Sequence, residues 1–81
     1  MWYTYVLLCE NGSLYRGYTN NLEQRFLKHK SGKGAKYTRM HKPIKIIYHE
    51  EFPTKQEAIK REHYFKSNEG KQWLKNTIAS H

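Results

Sequence analysis

The chain has 81 residues, with fifteen Lys and Arg against seven Asp and Glu and a formal charge of +8. That length supports one hydrophobic core and excludes a second folded module, so a single domain over 1–81 is expected. The charge favours a polyanionic partner, nucleic acid ahead of an anionic membrane surface. Aromatic residues, 15% of the chain, interleave with the basic ones as backbone neutralisation and base stacking require.

Trp2 to Cys9 is aromatic, β-branched and apolar, and predicts a strand buried on much of both faces. Cys9 is the only cysteine and reads as a small core residue. It excludes an intramolecular disulfide and agrees with a reducing, cytoplasmic location. No apolar run reaches transmembrane length and the N-terminus carries no secretory pattern, so no membrane role is expected.

Glu10-Asn11-Gly12-Ser13 is a hairpin signal before a second strand, Leu14 to Tyr18. A two-residue Asn11-Gly12 loop would pair Leu8 with Tyr15 and put Tyr5 and Tyr15 on opposite faces. A three-residue loop, Glu10-Asn11-Gly12, would pair Tyr5 with Gly17 and Leu7 with Tyr15, and put both tyrosines on one face. Local sequence leaves both registers open.

Asn20 with Glu23 forms a capping-box pattern for a helix running to about Lys30. Leu22 and Phe26 make its apolar stripe, with Arg25 and His29 flanking it four residues apart. Ser31-Gly32-Lys33-Gly34 ends it. Lys33, Lys36 and Arg39 then crowd a short loop that also holds Tyr37 and Thr38. Pro43 opens a third strand, Ile44 to Glu50, in which Ile44, Ile46 and Tyr48 alternate with Lys45, Ile47 and His49. Thr54 and Glu57 cap a second helix, to about Ser67. Ser67-Asn68-Glu69-Gly70 reads as a break, followed by a helix over roughly Lys71 to Ala79.

Glu62 interrupts the buried stripe of that second helix, between Ala58, Ile59 and Phe65. Carboxylates are almost never fully buried unpaired, so Glu62 needs a cation, either a metal or a partner such as Arg25 or a neighbouring Lys, unless it sits at the stripe's edge with its carboxylate in water. His41, His49, His63 and Cys9 lack zinc-ligand spacing, and Gly32-Lys33-Gly34 lacks P-loop spacing.

Tyr3-Thr4-Tyr5, Tyr15-Arg16-Gly17, Arg25, His29 and Glu62, in that order, resemble the GIY-YIG nuclease superfamily. The likeness is greater to its small, single-domain bacterial branch, in which a loop like His29-Lys30-Ser31-Gly32-Lys33-Gly34-Ala35-Lys36-Tyr37-Thr38 and a pair like Arg61-Glu62 recur. It spans about Trp2 to Lys66. Tyr3 departs from the first motif glycine and Arg16 from the motif isoleucine.

The resemblance implies an α+β fold, a small three-stranded antiparallel sheet flanked by helices in the order β-β-α-β-α-α. It also implies metal-dependent cleavage of phosphodiesters, as in a DNA endonuclease or DNA-repair nuclease. Tyr5 and Tyr15 match the motif tyrosines that handle the attacking water. Arg25 matches the catalytic arginine, Glu62 the metal-binding glutamate and His29 a position often occupied by His. The metal would be Mg²⁺ or Mn²⁺.

His29 suits a general base at neutral pH by its ordinary pKa of about 6.5, but ranks behind the tyrosines on pattern. Asn76 matches only loosely an asparagine that some members use. Arg16, on the face opposite Tyr15, and Lys33, Lys36, Tyr37 and Arg39 are expected to contact nucleic acid. The expected substrate is branched, nicked or single-stranded DNA, with a protein partner for targeting. The alternative is a module of this fold that binds nucleic acid without cutting it. A shared site needs both tyrosines on one face, which selects the three-residue hairpin loop.

Overall fold

The computed structural model describes residues 1–79. Its elements are β1 (Trp2–Cys9), β2 (Leu14–Thr19), α1 (Leu22–Lys30), α2 (Lys36–Met40), β3 (Pro43–Phe52), α3 (Lys55–Lys66) and α4 (Asn68–Ala79). The strands form one antiparallel sheet in the order β2-β1-β3, with the most apolar strand in the middle.

The hairpin adopts the three-residue loop. Tyr5 pairs with Gly17 and Leu7 with Tyr15. Cys9 N–H donates to Ser13 O and Gly12 N–H to Cys9 O, with Gly12 at a φ of +82° that the turn demands.

Helices cover both faces of the sheet. On one, Thr4 Oγ1 donates to Ala58 O in α3, and Val6 joins Phe65 of α3 and Leu74 of α4 in the main core. On the other, Tyr5 meets His29 of α1. Side chains alternate along a strand, so Thr4 and Val6 serve one layer while Tyr5 serves the other.

Four local expectations are corrected. The N-cap of α1 is Asn21 rather than Asn20; its side chain accepts from Gln24 N–H, and Thr19 Oγ1 accepts from Asn21 N–H. The segment holding Lys36, Tyr37, Thr38 and Arg39 is the short helix α2 rather than a loop, which adds one helix to the expected order. β3 reaches Phe52, and a register shift opposite Val6 and Leu7 breaks its alternation, so that Ile47 and Tyr48 both pack against the core.

Gly70, fourth, does not break the last helix. The interruption is Ser67 alone, whose hydroxyl donates to Tyr64 O and accepts from Gly70 N–H. A Cβ at position 70 would run into the Tyr64 carbonyl, so glycine is there for space inside α4.

Arg61 ties these pieces together. It forms a two-point salt bridge with Glu50 of β3, at 2.8 and 3.2 Å, and lies 4.6–4.9 Å from the Tyr64, Phe65 and Trp73 ring centres.

Candidate active site

The two layers meet around edge strand β2, where a cavity of about 350 Å³ opens. Tyr5, Tyr15 and Gly17 line it from the sheet, Arg25 from α1 and Glu62 from α3. Four of the five expected catalytic residues thus share one wall. Trp2, Tyr18, Thr19, Asn20 and Lys55 complete it, with the Lys55 ammonium 5.4 Å from the Trp2 ring centre.

His29, the fifth, lies behind the wall rather than on it. It is fully buried, although the sequence placed it beside the apolar stripe. Its Nε2 is 2.8 Å from Tyr5 Oη and its Nδ1 is 2.7 Å from Thr38 Oγ1. Thr38 Oγ1 lies 3.0 Å from the Ala35 carbonyl, which can only accept. The Thr38 hydroxyl proton is therefore committed to Ala35, and Thr38 accepts from His29 Nδ1–H. That leaves Nε2 bare, so the Tyr5 phenol donates to His29.

Glycines make room for this chain of bonds. A Cβ at Gly17 would fall on the Tyr5 phenol, and one at Gly34 on His29 Nδ1.

The charges follow from burial. Tyr5 is pushed up to about 12, because desolvation outweighs the lowering by Arg25, whose Nε is 3.4 Å from the phenol oxygen. His29 is held down at about 4, by desolvation first and by the Arg25 charge second. Arg25 is raised, chiefly by its bond to Tyr5. At neutral pH the site therefore holds a neutral phenol, a neutral imidazole and a guanidinium.

Glu62 is 7% exposed. Lys66 Nζ holds Oε2 at 3.0 Å, the lysine pairing the sequence left open beside the metal. Oε1 is buried with no hydrogen-bond partner, and His63 Nε2, at 3.8 Å, is beyond bonding reach. Among the described residues no three His, Cys, Asp or Glu side chains cluster as metal ligands. A divalent cation fits here only if it takes one carboxylate oxygen from the protein and the rest from phosphate and water, which is how Mg²⁺ is commonly held.

Of the expected nucleic-acid contacts, Lys33, Lys36 and Arg39 are exposed, the last two on α2. Tyr37 stacks on Tyr15, with ring centres 6.1 Å apart. Arg16 does lie opposite Tyr15, beside Lys66 in a second cavity. Asn76, on α4, accepts from Gln72 and is not part of the main cavity wall. Thr38, Trp2 and Lys55 were missed as site residues. Two of them carried a signal: Thr38 closes the recurring loop motif, and Lys55 is a cation in the first turn of a capped helix.

A family model described as the GIY-YIG catalytic domain matches residues 1–76. The chain belongs to the GIY-YIG family. It is 57% identical over 65 residues to a UPF0213 protein of Bacillus pumilus, and 48% identical over 65 residues to one of Staphylococcus saprophyticus. These matches cover 80% of this chain in each case, and 66% and 79% of the relatives. The chain thus spans just under two thirds of the Bacillus pumilus protein.

Two solution NMR structures share the fold, each with a TM-score of 0.57. A UPF0213 protein from Bacillus halodurans is 42% identical, the match covering 95% of this chain and 85% of that one. An E. faecalis protein is 45% identical, with 98% and 88% covered. The GIY-YIG family is a nuclease family, and its nucleases generally use divalent metals. Among the described residues no helix is long and apolar enough to cross a membrane.

Proposed function

We propose that this GIY-YIG chain is a divalent-metal-dependent nuclease that hydrolyses phosphodiester bonds in DNA. The observation that carries the reading is the Tyr5–His29 hydrogen bond at the same cavity as Arg25 and the unpartnered Glu62 Oε1.

Arg25 holds the non-bridging oxygens of the scissile phosphate, where its planar fork fits. Glu62 would hold Mg²⁺ or Mn²⁺, and the ion would supply neutralisation of the charge that builds on the phosphate and leaving oxygens. Tyr15 positions the attacking water. That water gives its proton to Tyr5 Oη as the Tyr5 proton passes to His29 Nε2. The water oxygen bonds to phosphorus, the ester P–O bond breaks, and the leaving oxygen is protonated from solvent.

Tyr5 could not serve as a free phenolate base with its pKa pushed up to about 12. As a relay it never carries the charge. His29 is a weak base in the free protein partly because of Arg25. A phosphate on Arg25 offsets that second, smaller influence and so favours the acceptor, while the burial that chiefly lowers His29 remains.

Lys33, Lys36 and Arg39 contact backbone phosphates, which carry no base information. The reading therefore favours DNA recognised by its form, branched, nicked or single-stranded, in the bacterial cytoplasm, with a protein partner for targeting.

Glu62→Gln tests it. Cleavage with Mg²⁺ or Mn²⁺ should disappear while stability changes by no more than about 1 kcal/mol, since the lost partner Lys66 is half exposed. A Glu62→Gln variant that still cuts would remove the metal assignment. Salt-sensitive binding without nicking under any divalent ion would reduce the chain to a binding module.

A further inference from the structure

We infer that the second cavity, about 310 Å³ and lined by Leu14, Tyr15, Arg16, Tyr37 and Lys66, holds a backbone phosphate neighbouring the one cleaved. The identity of the strand rests on the nuclease reading above; the anion site does not.

The lining carries two cations and no acid. Arg16 is half buried, and its Nε is buried with no hydrogen-bond partner. Its Nη1 has only a neutral acceptor, Leu14 O at 3.3 Å. Among the described residues no carboxylate pairs with it. Burial holds its pKa below the usual arginine range, opposing the charge it nonetheless keeps. A desolvated guanidinium without a counter-charge is a costly arrangement, and an anion relieves it. Phosphate is the anion its fork fits best.

Lys66 adds the second contact. Its ammonium has three donors, one of which faces Glu62 Oε2, so others remain for an anion in the second cavity. Tyr15 lines both cavities. Tyr37 braces the Tyr15 ring by stacking on it, and its own hydroxyl donates to Ser13 Oγ. A strand with one phosphate at Arg25 can cross Tyr15 and set the next between Arg16 and Lys66. That adjacency favours a nucleic-acid strand over an acidic protein segment as the occupant.

The test compares thymidine 3′,5′-bisphosphate with thymidine 5′-monophosphate on the ¹⁵N-labelled chain, following the Arg16 and Arg25 Nε–H resonances. The bisphosphate should bind about tenfold more tightly and move both resonances. Arg16→Gln should bring its affinity down to that of the monophosphate. Lys66→Gln, at a half-exposed position, should do the same in part and guards against a misfolded Arg16 variant.

An Arg16 resonance that stays put at saturation, or an affinity ratio that survives both substitutions, overturns the site. So does hexa-aspartate binding tighter than the bisphosphate and lost in Arg16→Gln. Cleavage of DNA with an unchanged ratio in both variants would sink the second phosphate site and spare the nuclease. Bisphosphate binding at Arg16 without any cleavage would do the reverse.

Discussion

Thr38 makes no contact with the cavity, yet its hydroxyl decides which nitrogen of His29 can accept a proton. Valine has the same shape and no hydroxyl. Thr38→Val should free the imidazole to place its proton on Nε2, facing Tyr5 with a donor where an acceptor is needed. We expect kcat to fall by about 10²-fold or more with KM little changed, and Thr38→Ser to restore it. The His29 ¹⁵N shifts should report the change of tautomer directly, whether or not cleavage is measured.

His29 also couples stability to pH. Its folded pKa of about 4 lies below the unfolded value of about 6.5, so between them the unfolded chain binds more protons. Stability should be full above about pH 6.5 and fall, on the order of 3 kcal/mol, as pH drops to about 4. Urea melts of wild type and His29→Gln across that range should diverge in slope. A wild-type slope no steeper than the variant's would contradict the buried neutral imidazole.

The residue types of the site were legible in the sequence, but the burial of His29 was not. Leu22 and Phe26 define the visible stripe of α1, and what the His29 ring bonds to lies on β1 and α2.

Among the elements, α2 was hidden because Gly32 and Gly34 before it read as a loop and five residues give no helical period. The hairpin register was the opposite case. Turn chemistry left two loops open, and only the demand that Tyr5 and Tyr15 share a site chose between them. The observed pairing agrees with that choice.

Gly70 misled by composition, because glycine usually punctuates a helix. Its true role allows a test in which two effects have opposite signs. Propensity alone would let Gly70→Ala stabilise α4 by about 1 kcal/mol. The collision with the Tyr64 carbonyl should win, giving a net loss of about 1–3 kcal/mol by chemical denaturation. A Gly70→Ala variant more stable than wild type would mean that α3 and α4 can separate without penalty.

For the molecule as a whole, the site draws on both helical layers across one sheet edge. Tyr5 and Arg25 come from one side and Glu62 from the other. No single segment carries it, so its pieces were readable from the sequence while their distances were not. Glu62 shows the limit well. An acid in an apolar stripe announced a cation, and the structure places Lys66 on one oxygen while the other has no hydrogen-bond partner.

That division has a consequence for the protein under the proposed metal-dependent reading. In many small metalloproteins the ion is part of the architecture, and chelation unfolds them. Here an ammonium one helical turn away is covalently attached and always at hand. Exhaustive treatment with EDTA should therefore silence cleavage while leaving the thermal midpoint where it was, and adding Mg²⁺ back should restore activity at once, with no refolding phase. On that reading the chain is a finished scaffold before any metal arrives, and the ion adds chemistry without adding structure.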